Sequence, residues 1–143
     1  MSFKGDVSRF TEKTNARSSK FVRLLVSKLG ESLILKTPVG DPSGWKTKHP
    51  PAGYVGGTAR ANWQYGNGFI PNEFLNEQDG DGNRTLSRII NKTSSGDPYT
   101  VHYITNNVPY IQALEDGHSR QAPQGMLKTT LIEFKGIFNA IKT

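Results

Sequence analysis

The residues best equipped for chemistry gather at Glu115-Asp116-Gly117-His118-Ser119, where two carboxylates, an imidazole and a hydroxyl share one short stretch. Such groups serve acid–base or nucleophilic catalysis when a base, its orienting partner and a nucleophile converge on one reacting atom. Neighbours in a single turn rarely converge, so the simpler reading is a polar turn after a short helix, with His118 and Ser119 capping it or touching a partner. The three histidines stand at 49, 102 and 118, no two at helical spacing, and there is no cysteine; a zinc site therefore has no signature. Asp79-Gly80-Asp81-Gly82-Asn83 opens like a calcium loop, but Arg84 stands where glycine is required and Ile90 where a bidentate glutamate is required. Neither a GxxxxGK[ST] loop nor a GxGxxG run is present. The expectation is a non-enzyme with no cofactor and no metal.

Binding chemistry is better represented. The net charge of +6 is uneven, because residues 1–60 hold eleven Lys/Arg against four Asp/Glu while residues 61–143 hold seven against eight. Lys13, Arg17, Lys20 and Lys28 fall on one side of a helical projection, a face suited to DNA phosphates, to an acidic partner or simply to solvent. That face has no interleaved aromatic residues and fits no nucleic-acid-reading motif, so only nonspecific contact is expected of it. A second binding candidate is the loop carrying Trp45, Lys46, Lys48 and Tyr54. Trp45 there has three readings: stacking on a base, packing into a neighbouring subunit, or folding back over its own core.

The elements that position these groups follow from periodicity and punctuation. A chain of 143 residues without cysteine suits one domain that buries roughly 68–70% of its unfolded surface by packing alone, in a reducing interior. The start lacks an apolar run, and the densest apolar stretch, Phe21 to Val26, is broken by Arg23; neither a leader nor a membrane span is expected. Residues 7–36 predict a long helix with Val22, Leu25, Val26, Leu29 and Leu33 on its core face, Leu24 and Leu35 among the charges, and an end at Pro38. Pro38 to Gly57 has four prolines and five glycines, an irregular stretch long enough to be either functional or mobile in the free chain. Ala59 to Tyr65 alternates like a strand with one buried face, Gly66-Asn67-Gly68 supplies turn residues, and Phe69-Ile70 offers a further extended piece before a polar loop over 71–83.

Leu86, Ile89 and Ile90 predict a short helix over 84–91, and Tyr99 to Thr105 a strand with His102 and Ile104 on one side and Val101, Tyr103 and Thr105 on the other. Pro109 to Glu115 suits one or two helical turns stopped by Gly117. A last helix is expected from Pro123 to about Ile141, with a seam of Leu127, Leu131, Phe134, Phe138 and Ile141 laid on the sheet. These elements make an α+β fold: a mainly antiparallel sheet packed on one face by the long N-terminal helix and the C-terminal amphipathic helix.

One segment carries a resemblance. Asn106-Asn107-Val108-Pro109-Tyr110 ends the second strand, Leu114-Glu115-Asp116-Gly117 closes the short helix, and after His118 comes Ser119-Arg120-Gln121-Ala122-Pro123-Gln124-Gly125-Met126, continued by Thr130, Glu133 and Phe134. This pattern resembles the neck and tail-completion family of tailed double-stranded-DNA bacteriophages, described as minor tail or head–tail joining proteins, over about 104–134. Thr37-Pro38-Val39 and Ala59 to Trp63 are similar to the family's passage from first helix to first strand, but a short Asp-Thr-Gly linker is replaced here by some twenty residues. The corner residues have architectural reasons: Asn tolerates unusual backbone angles, Pro109 sets the entry to the short helix, and Gly117 permits a left-handed cap. For Glu115 two roles are open, accepting backbone N–H bonds at the turn or pairing with Arg or Lys across a subunit boundary.

The resemblance implies a virion structural protein at the head–tail interface, assembled in the host cytoplasm. It would form a six-fold ring of identical copies, tail-terminator-like, between portal-proximal connector or head-completion proteins and the tail tube or tail terminator, with DNA passing through. No membrane partner is implied. The alternative reading is a basic module that binds nucleic acid nonspecifically.

Overall fold

A computed structural model of the chain describes residues 3–40 and 56–142. The chain runs α1 (Phe3–Lys36), α2 (Thr58–Ala61), β1 (Trp63–Asn67), α3 (Asn83–Ser95), β2 (His102–Asn106), α4 (Ile111–Glu115) and α5 (Leu127–Ile141). β1 and β2 form a two-stranded antiparallel sheet in which Trp63 faces Asn106 and Tyr65 faces Ile104. The fold is α+β, with a long N-terminal helix and a C-terminal helix. No helix among the described residues is long and apolar enough to cross a membrane.

The core forms where α1 and α3 meet one face of the sheet. Val26, Leu33 and Ile34 of α1 and Ile89 of α3 pack with Trp63 and Tyr65, and Ala122 and Met126 join them. Leu24 and Leu35 are exposed on α1, as their place among the charges predicts. The end of α1 is fastened by polar bonds. Thr37 donates its hydroxyl to the Leu33 carbonyl and accepts the Trp63 indole N–H at 2.7 Å. Arg60 donates to the carbonyls of Leu35 and Thr37, satisfying acceptors that the C-terminus of α1 leaves open, and also to that of Gly80.

The other face of the sheet is covered by chain without regular structure. Residues 69–75 cross it as a strap whose backbone is held by side chains. Asn62 bonds both the carbonyl and the N–H of Leu75, Gln64 donates to the Glu73 carbonyl, and Thr105 and Asn107 donate to the Pro71 carbonyl. The strap passes so close to Gly66 that an added Cβ would lie 2.0 Å from the Phe69 carbonyl oxygen. β1 is therefore buried on both faces through Gly66 instead of alternating, and Phe69-Ile70 forms no strand.

Several boundaries differ from the sequence reading, among them the start of α1 at Phe3 instead of residue 7 and of β2 at His102 instead of Tyr99. Ala59-Arg60-Ala61 is a helical turn, because Gly57 at φ +93° starts it and its carbonyl accepts the Ala61 N–H at 2.9 Å; the strand begins at Trp63. α3 continues four residues past Asn91 to Ser95, its side-chain hydroxyls bonding carbonyls one turn back, and Ile90 faces solvent. α5 begins at Leu127, not Pro123, because Gly125 turns the chain at φ +82°. It also lies along α1 instead of on the sheet: Thr130 meets Ser32 at 2.9 Å, Lys36 pairs with Glu133 at 2.7 Å, and Phe138 packs edge-on against Phe21. Leu127 and Leu131 of the expected seam are consequently exposed.

If the strap depends on the missing side chain at Gly66, Gly66→Ala lowers stability by about 1–3 kcal/mol in urea unfolding, the usual cost of overpacking. Gly136 of α5 meets nothing within 4 Å, so Gly136→Ala raises stability by roughly 0.5–1 kcal/mol through helix propensity. Equal responses of the two variants contradict this arrangement.

Candidate functional site

The segment Asn106 to Met126 folds into a closed corner, built step by step from its own sequence. At the exit of β2, the Asn106 carboxamide oxygen accepts the Val108 N–H at 3.2 Å, and its nitrogen donates to the Ala59 carbonyl at 2.8 Å. This side-chain turn redirects the chain and leaves Val108 buried, while Pro109 and Tyr110 lie at the surface. Asn107 reaches back to the strap. α4 follows, with Ile111 and Leu114 packed against the core.

α4 ends in a Schellman arrangement. The Gly117 N–H bonds to the Leu114 carbonyl and the His118 N–H to the Ala113 carbonyl, with Gly117 left-handed at φ +88°. A side chain at 117 would also meet the Pro123 carbonyl oxygen 2.3 Å from its Cβ, so glycine is required there twice over.

Of the two roles open to Glu115, the structure has the first. One carboxylate oxygen accepts the N–H groups of Met126 and Leu127 at 2.7 and 2.9 Å, and the other accepts that of Lys128 at 2.9 Å. These are the donors that the start of α5 leaves without helical partners, and a carboxylate there is further favoured by the helix dipole. Lys128 returns a bond from its ammonium to the Glu115 carbonyl. Gly125 lets the chain come this close, since a Cβ at 125 would stand 2.8 Å from the same carboxylate. Burial works against the charged form of Glu115, but the three N–H bonds outweigh it and hold the carboxyl below its usual range.

Gln121 ties the corner to the end of the first helix. Its carboxamide accepts the Val39 N–H at 2.9 Å and donates to the Val39 carbonyl at 2.8 Å, imitating one rung of a β-ladder. Ala122 and Met126 plug into the core beside it. Asp79 does for α3 what Glu115 does for α5: it accepts the Thr85 N–H and hydroxyl at 2.7 and 2.6 Å. Burial raises its pKa, and these bonds more than reverse the effect. The calcium-like stretch is thus a helix cap.

The residues that could do acid–base work do not converge. Glu115 has both oxygens committed to backbone donors, Asp116 accepts a bond from Gln112, and His118 is exposed. Among the described residues no group of three histidine, aspartate or glutamate side chains could hold a metal ion; His49 lies outside them. His102 is spent in the fold, its ring between the Tyr65 hydroxyl at 2.6 Å and the Pro98 carbonyl at 2.9 Å.

Lys13, Arg17, Lys20 and Lys28 are exposed along α1, and Lys28 also pairs with Glu31. Trp45, Lys46, Lys48 and Tyr54 fall outside the described residues. Sequence reasoning missed Arg60, Asn62 and Gln64, whose bonds run to backbone carbonyls far along the chain. The only available signal was polar side chains set inside a strand-like stretch. The chain matches no family model, no curated protein and no solved structure.

Loss of the cap separates an architectural Glu115 from a catalytic one. Glu115→Ala is expected to cost about 2 kcal/mol of unfolding free energy, at the upper end for removal of a helix cap. Because the folded-state pKa is depressed, this contribution is complete above the unfolded carboxyl's pKa and fades as pH falls through the folded value. Glu115→Gln therefore flattens the acid limb of the stability profile, and an unchanged limb contradicts the assignment.

Proposed function

We propose that this chain is a structural subunit of a tailed bacteriophage, a neck or tail-completion protein whose identical copies form a ring where head meets tail. The observation that carries this reading is the Asn106–Met126 corner. Its motif residues resemble the family's, and the side chains of Asn106, Asn107, Glu115 and Gln121 are consumed in holding shape. Asn106 and Asn107 fix the strand exit, Gly117 and Gly125 permit two tight approaches, Glu115 caps α5 and Gln121 clamps Val39. A segment built this way positions surfaces.

Exposed apolar side chains support the binding half of the reading. Leu131 is 60% and Ile132 78% exposed on α5, and Phe69, Ile70 and Phe74 stand out from the strap. Scattered single exposures are ordinary, but clusters on two separate elements suit a protein that is covered in its working state. In a cyclic assembly each copy needs two different complementary surfaces. The neighbours along the particle axis would be connector or head-completion proteins on one side and tail tube or terminator proteins on the other.

The basic face of α1 favours a second reading, nonspecific nucleic-acid binding. Lys13, Arg17 and Lys20 are exposed and make no ion pair among the described residues. Phosphate contact through so few cations is weak, and it weakens further as salt rises.

Gold-labelled antibody against an epitope tag on this chain, viewed on purified particles by electron microscopy, tests the proposal. Label at the head–tail junction is expected; label over the capsid or baseplate overturns it. A gel shift with duplex DNA should show weak retention that disappears at moderate salt, and tight salt-resistant binding would favour the second reading instead.

A further inference from the structure

Two surfaces of opposite character lie on opposite sides of the sheet. α1 and α5 together border an open groove of about 1360 Å³, its floor made by Phe21, Leu24, Ile137 and Ile141. Arg17, Lys20, Lys28 and Lys142 stand around it, Lys28 already paired with Glu31, and among the described residues no acidic side chain lines it. On the far face of the sheet, the strap presents Phe69, Ile70 and Phe74, which are 60%, 62% and 53% exposed. Glu73 is exposed beside Phe74, and Glu77 remains 43% exposed although it pairs with Arg88.

The strap and the helices are kept apart by the pleat. Trp63 and Tyr65 point to the helical core, whereas Gln64, Gly66 and Thr105 underlie the strap. One chain's strap therefore cannot fill its own groove. The strap is also held firmly enough to act as a preformed ligand, because its carbonyls at 71, 73 and 75 are bonded from beneath while Phe69, Ile70 and Phe74 face outward.

The geometry points to a head-to-tail contact between copies of this chain, in which the strap of one copy enters the α1/α5 groove of the next. Phe74 is the aromatic anchor on the apolar floor, and Glu73 and Glu77 meet the cations of Arg17, Lys20 and Lys28. The contact rests on the self-assembling reading given above and adds its two surfaces. It is heterologous, so it repeats around an axis and closes into a ring when the rotation permits. The groove's size favours a polypeptide over a small molecule, whose pockets run to roughly 300–1,000 Å³. Duplex DNA would use the cations but leave the apolar floor without a partner.

The chain has no cysteine, which allows a direct test in the full-length protein. Asn72→Cys places a thiol on the strap and Ser18→Cys one at the groove, each leaving the anchor and the floor intact. Mixed under mild oxidation, the two variants are expected to give a covalent dimer several-fold more abundant than Asn72→Cys mixed with Ser94→Cys on α3. Either variant alone should give little, and the double variant should give a ladder. Adding Phe74→Ser or Lys20→Glu should weaken the mixed crosslink, and circular dichroism of those variants checks that they remain folded.

A mixed crosslink no stronger than the α3 control overturns the contact. So does protection of the Ser18→Cys thiol by duplex DNA in place of a second copy. If rings are seen at the head–tail junction without the crosslink, this contact alone fails. If the crosslink forms in a protein never found at that junction, the neck reading alone fails.

Discussion

One carboxylate decides how the second half of this protein is arranged. Glu115, at the end of a short helix, accepts the three backbone N–H groups that open α5. The bond set fixes where α5 starts and in which direction it leaves, and it does so through charge-assisted contacts, which are stronger than neutral ones. From that start α5 runs along α1, where Thr130 meets Ser32, Glu133 meets Lys36 and Phe138 meets Phe21. The groove between the two helices exists because of that course. Glycines at 117 and 125 are the steric condition for the arrangement, since each allows backbone to approach where a Cβ would collide.

A second constraint is the small sheet. Two strands alone are marginal in water, and here both faces are covered by different means. Hydrophobic side chains of α1 and α3 cover one face, and the strap covers the other with its backbone held by Asn62, Gln64, Thr105 and Asn107. Covering a sheet with bonded backbone leaves several of the strap's own side chains turned to solvent. Stability and the display of Phe69, Ile70 and Phe74 thus come from one device.

Much of this was legible in the sequence, and the rest was hidden for definable reasons. The apolar period of α1, its end before Pro38, the stop at Gly117 and the anchoring role open to Glu115 all follow from local rules. Ala59-Arg60-Ala61 was ambiguous because small residues alternate equally well in a turn and in a strand; Gly57 and its left-handed φ decide the matter. Pro123 is a good first helical residue, but Gly125 and the carboxylate cap move the start of α5 to Leu127. The strap left no periodic signal, since its bonds use main-chain carbonyls. The groove joins residues more than a hundred positions apart, from Arg17 to Lys142, and no spacing rule links them. The aromatic and basic residues between 45 and 54, Trp45 among them, lie outside the described part of the chain.

The functional account depends on the corner being rigid in the lone chain, before any partner is met. Hydrogen exchange of the Met126, Leu127 and Lys128 amides measures that property at the three bonds concerned. The account predicts protection approaching that of the β1 and β2 ladder amides, lost when Glu115 is replaced by alanine. Exchange at the rate of unstructured chain in the unaltered protein would contradict it, because a corner that orders only on assembly could not set the surfaces on which assembly relies.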